Sequence, residues 1–175
     1  MYPHVGPSGG AWSLTRFAAV VAEGVEQFTI TGCNFTRLDN GGIFLGGYTR
    51  DVTIAGNEFA WLGESAVVSL GDTDGGPVKG WGVDGTAGNQ PKGTKLHFNY
   101  GRELGIINKQ SALYFQAVTD GSDVHGNVAF NGARSAINFN DAFGSGSNVT
   151  SNVLFNFNRE TADHGMSKQY HTSSR

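Results

Sequence analysis

The sequence contains a single cysteine, Cys33, so no disulfide can form within the chain, and thiol content does not indicate a compartment. No apolar run approaches the roughly 20 residues that cross a bilayer, and the first residues lack the basic and apolar regions of a signal peptide. Charged residues make up only 15% of the chain, the net charge is −3, and Lys and Arg do not cluster. These absences argue against a membrane span and against nucleic-acid binding through a basic face.

Glycine is abundant instead, with 27 residues in a chain of 175. This length is enough for one domain with a buried core. A glycine-rich composition with few charged residues favours many short strands joined by tight turns over long helices.

An internal repeat is the most informative feature of the sequence, because a period of 20–50 residues determines the architecture. Four segments read as copies of one short strand and begin at Gly41, Ser65, Ser111 and Ser135: GGIFLG, SAVVSL, SALYFQ and SAINFN. Their offsets are 24, 46 and 24 residues. The offset of 46 is either two coils or one coil that carries a long insertion.

A second repeated segment lies between these strands. FTITGCNF at 28–35 matches VTIAGNEF at 52–59, and VHGNVAFNGAR at 124–134 matches VTSNVLFNFNR at 149–159. Parallel strands without intervening helices can each bury one face by winding into a solenoid with coils about 4.8 Å apart. The sequence therefore predicts an all-β fold, a right-handed parallel β-helix of about five to six coils of roughly 24–25 residues.

The predicted organisation is a single β-helix domain at 1–165 with a loop insertion at 71–95 and an irregular tail at 166–175. Equivalent turn positions are occupied by Cys33 and by four asparagines, Asn57, Asn99, Asn127 and Asn152. We expect these asparagines to form a structural hydrogen-bonded ladder along the solenoid axis. The segment 149–157 is apolar enough to be predicted as a core strand.

Alignment of the four strands predicts which side chains face inward. Two columns are largely apolar and are predicted to fill the core: Ile43, Val67, Leu113 and Ile137, and Leu45, Ser69, Phe115 and Phe139. The neighbouring positions are predicted to face solvent as an outer wall: Phe44, Val68, Leu70, Tyr114, Gln116, Asn138, Asn140 and Asp163. This wall begins apolar and becomes polar toward its C-terminal end, where we expect a polysaccharide to bind.

The polar end of the wall contains residue types suited to two reactions. Glycoside hydrolysis needs two carboxyl groups that flank the bond, and Asp141 and Asp163 are the best pair, with Glu160 in reserve. Elimination from a uronide needs a tuned base and cations that neutralise the substrate carboxylate. His164 could serve either scheme, so the reaction is left open.

The candidate site residues follow from this wall and from the insertion at 106–109 beside it. The catalytic candidates are Asp141, Asp163 and His164. The substrate-binding candidates are Lys109, Gln110, Tyr114, Gln116, Arg134, Asn138, Asn140 and Arg159. No cofactor or metal site is predicted: Asp72–Gly75 reads like the start of a calcium loop, but no glutamate follows at the required position.

Four segments together resemble a family of large right-handed β-helix proteins of the pectin-lyase-like superfamily: DGTAGNQP at 84–91, RELGIINKQSALYFQA at 102–117, FNGARSAINFNDAFGSG at 130–146 and NVLFNFNRETADHG at 152–165. The resemblance covers most of the chain from about residue 20 to 165. It implies a β-helix and kinship in fold with carbohydrate-active lyases and hydrolases. It does not imply a reaction, because fold alone does not carry function.

The end of the chain departs from the family pattern. In the family, Asp-His-Gly continues into a Pro-aromatic-Asn-x-Trp-Asp-Arg stretch, whereas MSKQYHTSSR at 166–175 follows here, and Ala133 replaces a usual proline. Family members are also several times longer. We therefore expect a truncated or mis-spliced piece, whose uncapped coils could associate end to end.

Three functions remain open from the sequence. The first is a carbohydrate-active β-helix, a polysaccharide hydrolase or lyase. The second is a non-catalytic glycan-binding or structural protein, and the third is an inactive truncated paralogue. A polysaccharide or glycan is the expected partner. The compartment is open, with an extracellular or cell-surface location expected for a longer parent protein.

Overall fold

The computed structural model describes residues 17–76, 82–140, 144–161, 165 and 167–168. These residues form an all-β parallel solenoid of about five coils; each coil contributes one short strand to each of four sheets, and the first sheet has a sixth strand. All the pairings between named strands are parallel, and each joins a strand to its counterpart in a neighbouring coil. The predicted all-β class and the parallel coils are confirmed.

The strands are grouped by their position within a coil. Sheet 1 contains β1 (Ala18–Ala22), β5 (Gly41–Gly46), β9 (Val67–Leu70), β13 (Tyr114–Ala117), β17 (Ile137–Phe139) and β21 (Ser167–Lys168). Sheet 2 contains β2 (Val25–Glu26), β6 (Thr49–Arg50), β10 (Pro91–Lys92), β14 (Thr119–Asp120) and β18 (Gly144–Ser145). Sheet 3 contains β3 (Thr29–Thr31), β7 (Thr53–Ala55), β11 (Lys95–His97), β15 (Asp123–His125) and β19 (Asn148–Thr150). Sheet 4 contains β4 (Asn34–Leu38), β8 (Glu58–Leu62), β12 (Tyr100–Leu104), β16 (Val128–Gly132) and β20 (Val153–Phe155).

The offset of 46 residues is one coil that carries an insertion. Strand β9 pairs directly with β13, so no complete coil lies between them. The insertion leaves after β9 and returns at Pro91, where β10 begins. Its base is anchored by Arg50, whose guanidinium donates hydrogen bonds to the carbonyl oxygens of Gln90 and Gly88, the latter at 2.7 Å. The structure describes residues 71–76 and 82–90 of this segment.

The core lies inside the coils and is built from equivalent positions of successive strands. Ile30, Ile54, Leu96 and Val124 form one buried column in sheet 3. Phe35 and Phe59 stack in sheet 4 with ring centroids 5.0 Å apart. Each fully buried side chain of this size contributes about 1.5–3 kcal/mol, so the repeated inward positions supply the main driving force for the fold.

The predicted asparagine ladder is confirmed. The Nδ2 group of Asn57 donates to Oδ1 of Asn99 at 3.1 Å, that of Asn99 to Asn127 at 3.0 Å, and that of Asn127 to Asn152 at 2.9 Å. The backbone N–H of Cys33 donates to Oδ1 of Asn57 at 2.9 Å, so Cys33 occupies the first position. Asn57, Asn99 and Asn127 are buried. The ladder therefore satisfies polar groups at the turn between sheets 3 and 4.

The predicted register of the third repeated strand, at 111–116, is wrong by one residue. Val67 pairs with Tyr114, not with Leu113, and Val68 pairs with Phe115. Tyr114 therefore points into the core, and Phe115 points outward. Three consecutive apolar residues leave no alternation to set the register, because both faces of this strand are buried.

The outer face of sheet 1 is also buried, which corrects the prediction of a solvent-exposed wall. Its apolar side chains form a second hydrophobic cluster: Phe44, Val68, Leu70, Ala112, Phe115, Ala117 and Val118. Asn138 and Asn140 are buried as well, and Gln116, also buried, pairs with Ser69 and Phe139 in the inward register rather than on the outer face. A contiguous apolar column is costly to leave in water, and this physical reason outweighs the simple alternation of inward and outward residues.

The segment predicted as a core strand at 149–157 is divided between two short strands. Strands β19 and β20 are separated by Ser151, which has a positive φ of 57°, and by Asn152 of the ladder. Val153 and Phe155 are exposed, whereas Leu154 between them packs against the core. The prediction of a single core strand is therefore wrong. Among the described residues, no helix is long and apolar enough to cross a membrane.

Candidate functional site

The three predicted catalytic residues, Asp141, Asp163 and His164, lie outside the described residues. Their proposed roles in hydrolysis or elimination stay predictions. In sequence, Asp141 lies between β17 and β18, and Asp163 and His164 lie between β20 and β21.

Five of the predicted substrate-binding residues are buried: Tyr114, Gln116, Arg134, Asn138 and Asn140. The phenol oxygen of Tyr114 lies 2.9 Å from Oγ of Ser122 inside the solenoid. Burial raises the pKa of Tyr114 to about 12, against smaller opposing effects of hydrogen bonds to Ser122, Ser69 and Thr94. The structure thus places these side chains in the interior or on the covered face of sheet 1.

The remaining three predicted residues, Lys109, Gln110 and Arg159, are at least partly accessible. The ammonium of Lys109 lies 2.9 Å from Oε2 of Glu160 and donates to the carbonyl oxygen of Ile106 at 2.7 Å. The guanidinium of Arg159 lies 3.4 Å from Oε2 of Glu103. Both cations therefore have carboxylate partners and are not held free for an anionic substrate.

A different surface, the outer face of sheet 4, combines exposed rings with amides and charges. We call it the aromatic–amide face, and it consists of Glu58, Trp61, Tyr100, Arg102, Glu103, Phe130, Asn131, Phe155 and Asn156. The inward positions of the same strands are filled by Phe59, Gly101, Ala129 and Leu154. Alternation along each strand therefore separates a core face from an accessible face.

The rings of this face are held in register by strand pairing. Phe130 pairs with Phe155, and their rings stack with centroids 4.8 Å apart and an interplanar angle of 11°. Tyr100 contacts Phe130 edge to face at 5.7 Å. Trp61, Tyr100 and Phe155 are 44%, 39% and 47% exposed. The sheet thus presents a row of large rings that retain accessible surface.

A polar column runs beside the rings. Asn156 donates through Nδ2 to Oδ1 of Asn131, and Asn131 donates through Nδ2 to Oε1 of Glu103. The other carboxylate oxygen of Glu103 faces Arg159. Glu103, Asn131 and Asn156 have positive φ values of 50°, 57° and 53°, and asparagine tolerates this conformation better than most residues. Because the three residues share this left-handed backbone conformation at equivalent positions of successive coils, their side chains lie in one column.

The charges of the face are paired. Arg102 lies 3.4 Å from Oε1 of Glu58, and its guanidinium carbon lies 5.8 Å from the centre of the Trp61 ring. Together with the Arg159–Glu103 pair, this gives two cations and two carboxylates in contact. The charges of these four residues balance, and they offer both donors and acceptors of hydrogen bonds.

The aromatic–amide face is absent from the sequence-based candidates, apart from Arg159 at its edge. One signal could have indicated it, because the matched segments 124–134 and 149–159 place Phe130 over Phe155 and Asn131 over Asn156. Phe130 and Phe155 read as core positions of a strand, and the sequence alone does not show that their side chains point outward.

Within the described ranges, no three His, Cys, Asp or Glu side chains come together in a way that could hold a metal ion. No protein-family model, curated protein or solved structure matches the chain. Kinship with the pectin-lyase-like superfamily therefore stays a prediction. The class that the structure itself defines is a parallel β-solenoid with an accessible face of rings, amides and paired charges.

Proposed function

We propose that this protein is a carbohydrate-binding β-solenoid whose aromatic–amide face takes a neutral, linear polysaccharide. The observation that supports the proposal most is the row of exposed, registered rings beside a hydrogen-bonded line of amide and carboxylate groups. Exposed apolar surface bordered by polar groups on a rigid scaffold is typical of an interaction site.

The chemistry of a sugar suits this combination. The exposed parts of the Trp61, Tyr100 and Phe155 rings offer apolar surface to the C–H groups of a sugar, while the adjoining amides and charged groups donate to and accept from its hydroxyls. A purely apolar partner would remove water from this polar column on binding, and burial of polar groups away from water is costly.

The charge arrangement favours a neutral glycan over a polyuronide. Arg102 and Arg159 each have a carboxylate partner, so an anionic chain would meet Glu58 and Glu103 together with the two cations. The repeat of the sheet also suits a repeating ligand, since strands about 4.8 Å apart match the length of roughly one sugar unit in an extended polysaccharide.

Affinity electrophoresis tests the proposal with neutral polysaccharides (β-glucan, xylan, mannan) and with polygalacturonate in the gel. We expect retardation by at least one neutral polysaccharide. Tyr100→Ala should weaken that binding about fivefold, because a ring contact of this kind contributes about 1 kcal/mol. Trp61→Ala should act in the same direction.

Tyr48→Ala is the matched control, because Tyr48 is equally exposed but follows sheet 1 on another side of the solenoid. It should leave retardation unchanged. Retardation by polygalacturonate alone, or equal losses in Tyr100→Ala and Tyr48→Ala, would contradict the proposal.

Catalysis remains the second hypothesis and depends on Asp141, Asp163 and His164, which lie outside the described residues. Hydrolysis would release reducing sugar from the bound polysaccharide, and elimination would produce the ultraviolet absorbance of an unsaturated uronide. Loss of either product in Asp141→Asn and Asp163→Asn, with binding retained, would support an enzyme. Binding without any turnover would leave the carbohydrate-binding function alone.

A further inference from the structure

The aromatic–amide face repeats with the coils of the solenoid. Equivalent outward positions of three successive strands hold pairs of neighbouring side chains: Arg102–Glu103 in β12, Phe130–Asn131 in β16 and Phe155–Asn156 at the end of β20. Strand pairing keeps these pairs in register, one coil apart. A ligand whose own units repeat at the same distance could therefore make equivalent contacts in each coil.

The last two pairs are chemically identical. The rings of Phe130 and Phe155 stack with centroids 4.8 Å apart, and Nδ2 of Asn156 donates to Oδ1 of Asn131. A side-chain amide has two donor hydrogens and two acceptor lone pairs, so this contact leaves each amide with capacity for a ligand hydroxyl. Two identical positions in succession favour two identical ligand units in succession, which is the chemistry of a homopolymer.

The accessible rings are distributed along the solenoid axis. Trp61 lies opposite Glu103, one coil earlier, and Phe155 lies two coils after Glu103. Trp61 and Phe155 are therefore separated by three coil steps of about 4.8 Å each. A ligand chain that followed a single strand would reach only one of these two rings, whereas a chain parallel to the axis would reach both.

The coil spacing also selects the conformation of the ligand chain. An extended polysaccharide advances by roughly one coil spacing, about 4.8 Å, for each sugar unit, so its units stay in step with β8, β12, β16 and β20. A helical polysaccharide advances less for each unit and curves away from a straight face. The face therefore matches an extended chain over the four coils that carry its rings.

We infer that the aromatic–amide face binds four consecutive units of an extended, neutral homopolysaccharide that lies along the solenoid axis, with one unit at each coil from β8 to β20. Trp61 contacts the unit at one end of this stretch, and Phe155 contacts the unit at the other end. The inference rests on the carbohydrate-binding function proposed above, and it adds the length, the conformation and the direction of the bound chain.

Isothermal titration calorimetry with oligosaccharides of defined length tests the size of the site. The probes are cello-, manno- and xylo-oligosaccharides of two to six units, which are extended, and maltohexaose, which is helical. In at least one extended series the tetrasaccharide should bind about tenfold more tightly than the disaccharide, because its added units reach further rings. The hexasaccharide should match the tetrasaccharide within about twofold, and maltohexaose should bind about tenfold more weakly than that hexasaccharide.

Two variants at opposite ends of the face test the direction of the chain. Trp61→Ala and Phe155→Ala should each reduce the length at which affinity stops rising from four units to three, because each removes the ring contact at one end. The two side chains are 44% and 47% exposed, so both variants should fold, as circular dichroism would verify. Tyr48→Ala is the control on another side of the solenoid and should keep the length at four units.

The result separates this inference from the proposed function. An unchanged length of four units in either folded variant at Trp61 or Phe155 would overturn the inference. Equal affinities for the disaccharide and the tetrasaccharide, a continued rise beyond four units, tightest binding of maltohexaose, or no binding of any hexasaccharide would also overturn it. If a neutral polysaccharide still retards the protein in affinity electrophoresis, the proposed function stands without the inference. If no neutral polysaccharide does so, both are wrong.

Discussion

Removal of the central asparagine of the ladder should destabilise the protein far more than removal of an exposed asparagine. Oδ1 of Asn99 accepts from the backbone N–H of Asn57 at 3.0 Å and from its Nδ2 group at 3.1 Å. Nδ2 of Asn99 donates to the carbonyl oxygen of Ile54 at 2.9 Å and to Oδ1 of Asn127 at 3.0 Å. Asn99→Ala removes all four of these contacts inside a buried turn.

The magnitude follows from the groups left without a partner. Asn127 Oδ1 still accepts from the backbone N–H of Asn99 at 2.9 Å, and Asn57 Nδ2 still donates to Ile30. The N–H of Asn57 loses its acceptor, and Ile54 loses a donor. An unsatisfied buried group costs about 1–3 kcal/mol, so we expect a loss of about 3 kcal/mol and a fall in Tm of about 6–12 °C.

Urea denaturation and thermal scans followed by circular dichroism would measure this loss. The control is Asn148→Ala, which removes one exposed hydrogen bond to Oδ1 of Asp123 at 3.0 Å and should cost less than about 0.5 kcal/mol. If Asn99→Ala costs no more than Asn148→Ala, the ladder does not hold the coils together and the reasoning is refuted.

Two further stability predictions follow from close packing and from burial. Gly63→Ala should destabilise the protein by more than about 3 kcal/mol, because a Cβ there would lie 1.8 Å from the carbonyl oxygen of Asp39. Gly32→Ala is the control: Gly32 has a φ of +66° and open space around it, so the substitution should cost about 1–2 kcal/mol. Equal losses in Tm for the two variants would contradict this prediction. Burial raises the pKa of Tyr114 to about 12, above its unfolded value of 10.0, so the full stability is present below pH 10 and falls as pH rises toward 12, by about 2 kcal/mol. Urea unfolding at pH 8 and pH 11 would show a loss of stability at the higher pH. Tyr114→Phe, which gives up the Ser122 contact, should reduce this pH dependence of stability. An unchanged pH dependence in that variant would argue against Tyr114 as its source.

The repeat made the solenoid and its ladder predictable from sequence. Asparagines spaced by one coil, as Asn127 and Asn152 are, can stack only if the coils are in register, and the structure shows this stacking. The short alternating segments around Ile30 and Ile54 also indicated their inward face, because Thr29 and Thr31 flank Ile30, and Thr53 and the small Ala55 flank Ile54. The period and the alternation can both be read from the sequence, and the structure retains both.

The site was less predictable because it depends on which surface stays open. The segment around Tyr114 is apolar at consecutive positions, so alternation could not decide between Leu113 and Tyr114 as the partner of Val67. The burial of the outer face of sheet 1 is a tertiary property that no single strand encodes. Phe130 and Phe155 look like core residues in sequence, and only the coil geometry shows that they are accessible.

The most direct test of the account is whether a neutral polysaccharide shields Trp61. A variant with Trp12→Phe and Trp81→Phe leaves Trp61 as the only tryptophan of the chain, and acrylamide quenching then reports its accessibility. We predict that the neutral polysaccharide bound in affinity electrophoresis lowers the quenching of Trp61, and that Tyr100→Ala reduces this protection. Quenching that is unchanged at saturating polysaccharide would contradict the assignment of the aromatic–amide face as the carbohydrate-binding surface.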